Sequence, residues 1–595
     1  MMAQLEEAVN KICEPCFNHE IEIVVAFLST NSPELVLAIM AALDICALRD
    51  TSSSNKLITF RLAMLNARWT PQEIASVLQV SPSNPSHLHP TLSTIVQNKK
   101  SHITMLLYGD GFNGVAKEAV DTLMNLDIKQ SHRSFCAPIP GLSIVQNQCY
   151  NPTNSKIRNN FISSWSDVEH NTHSWHADAI IIFTSGTTST FIPKGVRLSY
   201  ASLLVQSMAK LLPPCSYDYK TSLLGDTVPL YHVGGLSSMI AVIMAGGSIV
   251  YSKPQKKHLQ PFSSFVPASI LRTIALSDDQ DTANTLVVVP AMLHSFTEVS
   301  STSLRSKYHN VRLIVIGGSN APLELLHQAQ DLFPNARIVQ TYACSEAGST
   351  ITFLDVINHS KRISNNNSVQ KSLPGYCVGY PPPHIGIGLL PQNINFELNS
   401  ETSVAKIQHS WFAQPYEVGL ICTRGLHVMN GYWRRCVSDN NNDRMHPFLE
   451  GWLITDDLGY LDENGGLYFC GRSSDVIRTG GETVFPMEVE QIISLYDGID
   501  SCAVIGLPDH RLGEIVSAVV VPKKQKFANN LPPLQVEHVR QHCKKYNLAG
   551  YKCPRAVFVV SEIPRNQSGK ILRQKLVSEV LLLREDSKKG AHSKL

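Results

Sequence analysis

The chain reads as an α/β protein: a large N-terminal region built on buried strands, followed by a smaller α+β region. Continuous apolar runs at residues 179–183, 286–289 and 313–316 each end in a loop of small or hydroxyl residues, as strands covered on both faces do. Shorter strand patterns at 503–507, 515–521 and 557–560 interleave with a helical pattern at 536–546, which reads as a separate small unit. At 595 residues the chain exceeds one ordinary core.

Composition narrows the class. Hydrophobic residues make up 43% and charged residues 17%, enough to bury a large core, and a net charge of +2 argues against a nucleic-acid surface. The fourteen cysteines have no framework spacing, and Cys13 and Cys16 have no second pair to complete a zinc site, so they read as reduced intracellular thiols. The apolar runs at 35–48 and 237–251 are too short, or are broken by Asp44, to span a membrane. No secretory signal pattern opens the sequence.

In chain order, the stretch at 50–60 has no assignment and 81–86 is a loop. The 179–183 run feeds into Thr184-Ser185-Gly186-Thr187-Thr188 and then Pro193-Lys194-Gly195. Hydroxyls and glycine supply short donors and open N–H groups that wrap phosphate oxygens, and Lys194 adds a point charge. Ser199 caps a helix expected to run to residue 212. His232 is followed by Gly234, Gly235, Ser237 and Ser238, which either leave room for a bulky group or pack a helix tightly. The runs at 286–289 and 313–316 open into Pro290 and into Gly317-Gly318-Ser319, where open α/β sheets bind ligands. Tyr342, Ser345 and Glu346 follow on the next strand, and 364–368 and 438–443 read as polar surface insertions.

The stretch from Gly451 to Glu490 carries the densest signal. A run ending in Asp456 and Asp457 turns through 462–466 and returns over 467–470 as a hairpin, then stops at Gly471-Arg472-Ser473-Ser474-Asp475. Asp457 can accept two hydroxyl protons and Arg472 can donate a planar fork, a grip suited to the vicinal diol of ribose. A Gly480-Gly481 loop, a helix opened by Pro486, and the late segment Ile563 to Arg573 containing Gly569-Lys570 complete the pattern.

Taken together, these motifs resemble the adenylate-forming acyl-CoA synthetases, the superfamily that includes luciferases and peptide-synthetase adenylation domains. The chain departs from the pattern at Ser189, where glycine is usual, in a phosphate loop two residues longer, and at Ala343, Ser345 and Leu420. The resemblance implies a large domain over 1–471, of stacked αβ layers plus a small distorted barrel. It also implies a hinge over 472–475 pivoting at Ser474, a mobile domain over 476–582, and a polar, mobile tail over 583–595. It assigns Thr184, Ser185, Gly186, Thr187, Thr188 and Lys194 to the phosphates of ATP, Gly318 and Tyr342 to adenine, Ser345 to the α-phosphate, and Asp457 and Arg472 to ribose. Glu346 would hold magnesium, whose hard oxygen preference suits a carboxylate plus phosphates. Lys570 would act with Glu346 and His232 in catalysis. His232, Gly235, Ser238, Gly317 and Ser319 would border the acyl pocket, and Gly480, Gly481 and Glu482 would line the tunnel for CoA.

The implied reaction joins a small carboxylic acid to CoA through an acyl-adenylate, with ATP, Mg2+ and CoA consumed or required, and with no nucleic-acid partner. Ser474 and the sequence around His232 look most like ortho-succinylbenzoate-CoA ligases of menaquinone and phylloquinone biosynthesis, although Ala241 stands where the bacterial members carry arginine. The alternatives are a cinnamate-like, benzoate-like or fatty acid substrate, and a non-catalytic nucleotide-binding relative. Ser593-Lys594-Leu595 matches the tripeptide read by a peroxisomal import receptor, so a peroxisomal location is expected, with chloroplast and cytosol as the other compartments. The head before the first strand is shorter than the family usually has.

Overall fold

The computed structural model describes residues 21–29, 31–49, 58–78, 101–108, 113–126, 132–138, 174–184, 193–252, 265–275, 282–299, 308–356, 373–391, 413–433, 448–449, 451–523, 535–565 and 571–592. Ser185, Gly186, Thr187, Thr188, Lys570, Ser593, Lys594 and Leu595 lie outside these residues, as do Cys13, Cys16, the 81–86 loop and both polar insertions.

Four sheets organise the chain. The first has seven strands, with Ile21–Leu28 near its middle, flanked in parallel by Ile58–Met64 and Ser101–Tyr108. Asp178–Thr184 adds in parallel beside Ile58–Met64, and the chain then doubles back, so Lys194–Ser199 and Gly431–Trp433 pair antiparallel at that edge. Ile180, Ile181 and Ile182 are fully buried, as a strand covered on both faces requires. The stretch at 50–60 that the sequence leaves unassigned ends inside the Ile58–Met64 strand.

The second sheet has six strands, parallel through Thr285–Val288, Leu313–Ile316 and Arg337–Cys344 and closed by antiparallel Ser349–Asp355. Two helices, Tyr200–Met208 and Val233–Ala245, pack on each other next to this sheet. The third sheet is antiparallel and takes the place of the small barrel, with the Trp452–Leu461 and Leu467–Arg472 hairpin at its centre. Asp462 makes the hairpin turn, its Oδ1 accepting from Asn464 N and Gly466 N at 2.9 and 2.8 Å. The fourth sheet, of five strands within residues 477–559, carries helices Pro486–Ser494 and Val536–Lys545 and is the expected α+β unit.

Two expectations are corrected. Ser199 does cap its helix, accepting from Ser202 N at 3.1 Å, but the helix ends at Met208 rather than residue 212. Lys210 N and Leu211 N bond three residues back, to Ser207 O and Met208 O, tightening the chain ahead of Pro213 and Pro214, which cannot continue a helix. The polar tail expected from residue 583 instead continues the Arg573–His592 helix. Once a helix is nucleated each added residue costs little, and the tail is rich in Lys, Arg and Glu, which are good helix formers.

Candidate active site

Asp457 and Arg472 face each other across the central hairpin as register partners. The strand can bring them together because Gly459 lies between: a Cβ there would fall 2.4 Å from Tyr468 O, so no larger residue fits. Tyr342, from the end of the Arg337–Cys344 strand, donates its hydroxyl to Asp457 Oδ2 at 2.7 Å, and Arg472 Nε lies 3.5 Å from Asp457 Oδ1. The Tyr342 ring also rests on Phe469, with centroids 5.7 Å apart. Burial and the Asp457 charge push the Tyr342 phenol well above its ordinary value, so it remains a donor. Three residues predicted from two separate stretches thus form one connected group.

A second group forms around Tyr432. Lys194 pairs with Thr184 at the base of the phosphate loop, and its ammonium sits 5.6 Å from the centre of the Tyr432 ring. The Tyr432 hydroxyl donates to Glu346 Oε1 at 3.0 Å. The phosphate-loop lysine and the expected magnesium carboxylate therefore share one aromatic neighbour. Cys344 joins the two groups: burial first, then the Glu346 and Asp457 carboxylates, hold its thiol far above the usual range and keep it inert. Among the described residues no three His, Cys, Asp or Glu side chains converge, so magnesium held through Glu346 would complete its shell with phosphate oxygens and water.

The short turn Ser345–Ala347 that carries Glu346 is gripped from below. Gln206 is fully buried on the Tyr200–Met208 helix. Its Nε2 donates to Ala347 O at 2.8 Å and Thr350 O at 2.9 Å, and its Oε1 accepts from Thr350 N at 3.2 Å. One turn earlier, Ser202 Oγ donates to His427 O at 2.8 Å, and from the same loop Met429 N donates to Glu346 O at 2.9 Å. Gly348 allows the approach, since a Cβ there would fall 2.5 Å from Ser202 Oγ.

His232 ends the loop before the Val233–Ala245 helix, its ring tilted against Tyr231 at 4.7 Å. Burial first, and the Arg68 charge second, pull its pKa down to about 4, so the imidazole is neutral near pH 7. Asn31 fixes that loop, donating to Gly225 O and Val228 O and accepting from Leu230 N at 2.9 Å. Of the small residues behind His232, Gly235 is there for packing: a Cβ would lie 2.6 Å from Pro229 O. Ser238 is buried and donates back to Gly234 O at 2.7 Å, and with Gly235 it borders a small cleft open to solvent. Gly317, Gly318 and Ser319 form the loop after Leu313–Ile316; Gly318 has φ +86°, and Ser319 is exposed. Ser345 opens the turn whose carbonyl accepts from Gly348 N at 3.0 Å.

In the small unit, Gly480 (φ +59°) and Gly481 (φ +88°) form a two-residue hairpin between Ile477–Thr479 and Glu482–Val484, and Glu482 is exposed beside them. Ser474 is exposed in the turn Ser473–Asp475. Arg573, just beyond Lys570 in sequence, donates to half-buried Glu490 at 2.5 Å and lies 3.8 Å from Asp475. Gln206, Ser202 and Asn31 were not picked out by sequence reasoning, because each acts through a partner far away along the chain and no local spacing marks it.

Tyr342, Asp457 and Arg472 in one group, with Glu346 just past the C-terminal end of the Arg337–Cys344 strand and Lys194 at the start of the antiparallel strand beside Thr184, form the arrangement expected of an adenylate-forming enzyme. A family model described as AMP-binding enzyme matches residues 16–433, and one described as AMP-binding enzyme C-terminal domain matches 488–570. The chain belongs to the AMP-binding enzyme family and is an AMP-forming acid–CoA ligase that uses ATP, magnesium ion and CoA. It is 33% identical to the chloroplastic/peroxisomal 2-succinylbenzoate–CoA ligase of Arabidopsis thaliana, over 69% of each chain. It is 28% identical to the 2-succinylbenzoate–CoA ligase of Bacillus subtilis, over 70% of each. Its fold resembles the Bacillus subtilis o-succinylbenzoate CoA synthetase in complex with the acyl-adenylate intermediate OSB-AMP, with TM-score 0.61, 22% identity, and 95% of this chain and 90% of that one covered. ATP-bound MatB from Rhodopseudomonas palustris gives TM-score 0.63 at 20% identity, covering 97% and 92%.

Proposed function

We propose that the acid is ortho-succinylbenzoate and that the product is its CoA thioester, an intermediate of phylloquinone or menaquinone biosynthesis. The observation that carries this reading is the match to a plant and a bacterial ligase named for that acid, each over more than two thirds of both chains.

A carboxylate attacking the α-phosphorus of ATP must approach another anion, so the site has to neutralise charge and hold both groups in line. Lys194, with Thr184 to Thr188, would hold the phosphates, Tyr342 and Gly318 the adenine, and Asp457 with Arg472 the ribose, exchanging their mutual contact for the diol. Glu346 would hold magnesium, which lowers the repulsion between the reacting anions. Lys570 would stabilise the charge developing in the first half-reaction. The small domain, turning at Ser474, would then withdraw Lys570 and bring Gly480, Gly481 and Glu482 to the thiol of CoA. Removing one charge-stabilising donor typically costs ~3 kcal/mol of barrier. Lys570→Ala is therefore expected to lose roughly a hundredfold or more in acid-dependent pyrophosphate exchange, while thioester formation from a supplied acyl-adenylate persists.

The test is AMP release with ATP, magnesium and CoA across a panel of acids, with Lys570→Ala as the blank. Turnover on ortho-succinylbenzoate above all others is expected; turnover confined to fatty or cinnamate-like acids would sink the substrate assignment and leave the ligase chemistry standing. Peroxisomal residence is supported by the Arabidopsis relative's name and by Ser593-Lys594-Leu595. A fluorescent fusion that stays outside peroxisomes with this tripeptide free at its end would refute that location.

A further inference from the structure

Lys210 is buried to 2% exposure between the Tyr200–Met208 and Val233–Ala245 helices, and among the described residues no carboxylate lies within ion-pair distance of it. Its ammonium donates to Ser237 Oγ at 2.8 Å and, at a long 3.4 Å, to Gln206 O. Ser237 in turn donates to Val233 O at 2.6 Å and lies 3.0 Å from Ser349 Oγ. The titratable groups that bear on this region are Cys215, His384 and Arg337, none of them an anion near neutral pH. Burial draws the Lys210 pKa down only to about 8, so most of the population keeps its charge at pH 7. A buried ammonium with a single good hydrogen bond is costly until an anion compensates it.

The neighbourhood is arranged for such an anion. Tyr217 is buried to 4% exposure with its hydroxyl left without a hydrogen bond, and the neighbour it faces is Ser238. Ser237 and Ser238 thus lie against the ammonium and the phenol, respectively, from adjacent positions on one helix. Ala241, one turn further, is fully buried and contributes no charge. Toward the helix start, next to His232, a Cβ built on Gly234 would meet nothing within 4 Å, so there is open space on the approach. Ser238, the neighbour of Tyr217, also borders the cleft beside Gly235 and Met239, so this part of the helix lies next to open space.

We propose that Lys210 is the specificity residue for dicarboxylic substrates: its ammonium, with the Tyr217 hydroxyl, holds the carboxylate that is not activated. This rests on the reading of the substrate as a succinylbenzoate, which carries two carboxylates of which only one becomes the thioester. Binding would place the second carboxylate on Lys210 and the Tyr217 hydroxyl, giving the buried charge its missing counter-ion, whereas a monoacid would leave it uncompensated.

The test compares kcat/KM for ortho-succinylbenzoate with that for its two monoacid relatives, benzoylpropionate and ortho-butyrylbenzoate, each lacking one carboxyl. Whichever monoacid turns over identifies the activated end. The wild-type enzyme is expected to prefer the dicarboxylate, Lys210→Met to cut that preference at least about tenfold, Tyr217→Phe to cut it less, and Lys210→Arg to retain part of it. A parallel loss on both acids, with their ratio unchanged, would make Lys210 a packing element and overturn the proposal. Should Lys210→Met lack an ATP-dependent thermal shift, the ratios in Lys210→Arg and Tyr217→Phe decide, and no change in either overturns it. If the wild-type enzyme ignores succinylbenzoate, the substrate assignment fails by itself. The Lys210→Met ratio for any other dicarboxylate against its monoacid then decides the role of the lysine separately.

Discussion

At the scale of single residues, Tyr432 ties the site together. Its ring lies against the Lys194 ammonium and its hydroxyl holds Glu346, so it sets the spacing of the two charges proposed to meet ATP and magnesium. Tyr432→Phe keeps the ring and removes the bond to the carboxylate. Hydrogen bonds to charged groups contribute ~1.5–3 kcal/mol, and in this half-buried setting the lower end applies. The magnesium concentration for half-maximal AMP release should rise about tenfold, with KM for the acid little changed. The buried histidines give a second residue-scale prediction. His232 and His427 have folded-state pKa values lowered, chiefly by burial, from 6.5 to about 4 and about 3. Each favours the neutral ring, so its stabilising contribution is complete above pH 6.5 and is lost as pH falls through the folded-state value. Thermal midpoints should drop steadily below pH 6.5, and His427→Gln should flatten that dependence in a pH series of melts.

At the scale of elements, the Tyr200–Met208 helix links the phosphate-loop strand to the turn bearing Glu346. Ser202, Gln206 and, just past the helix end, Lys210 recur at four-residue spacing and point polar groups inward where an amphipathic reading expects apolar ones. Gln206→Leu would strand the Ala347 and Thr350 carbonyls and the Thr350 N–H in a dry interior, at ~1–3 kcal/mol for each unpaired group. It should lower the denaturation midpoint clearly and raise the magnesium requirement together with it; a lowered midpoint with unchanged magnesium response would limit Gln206 to stability. This helix also shows what sequence can carry. The strands at 179–183 and 313–316, the Ser199 cap, the Asp457–Arg472 hairpin and the small α+β unit were legible, since each rests on local pattern or turn chemistry. The early helix end at Met208, the continuation to His592 and the grip of Gln206 on a turn some 140 residues away were not. Periodicity tells which face is buried but not which distant backbone group waits there.

At the scale of the molecule, the turn Ser473–Asp475 joins the third sheet to the fourth. Replacing exposed Ser474 with proline fixes one φ angle without removing a buried contact. If the small domain turns here between half-reactions, Ser474→Pro should spare pyrophosphate exchange and slow thioester formation by about tenfold or more. Equal loss in both assays would place the pivot elsewhere. Arg573 bears on the same motion. It bonds Glu490 and pairs with Asp475, so the start of the Arg573–His592 helix is fastened both to the Ser473–Asp475 turn and to the first helix of the small unit. For anyone recombining this enzyme with a relative, the exchangeable cassette therefore begins at the joint and includes Arg573. A splice at the joint should yield working hybrids, whereas one placed between Glu490 and Arg573 should give proteins that fold in halves yet deliver the lysine badly.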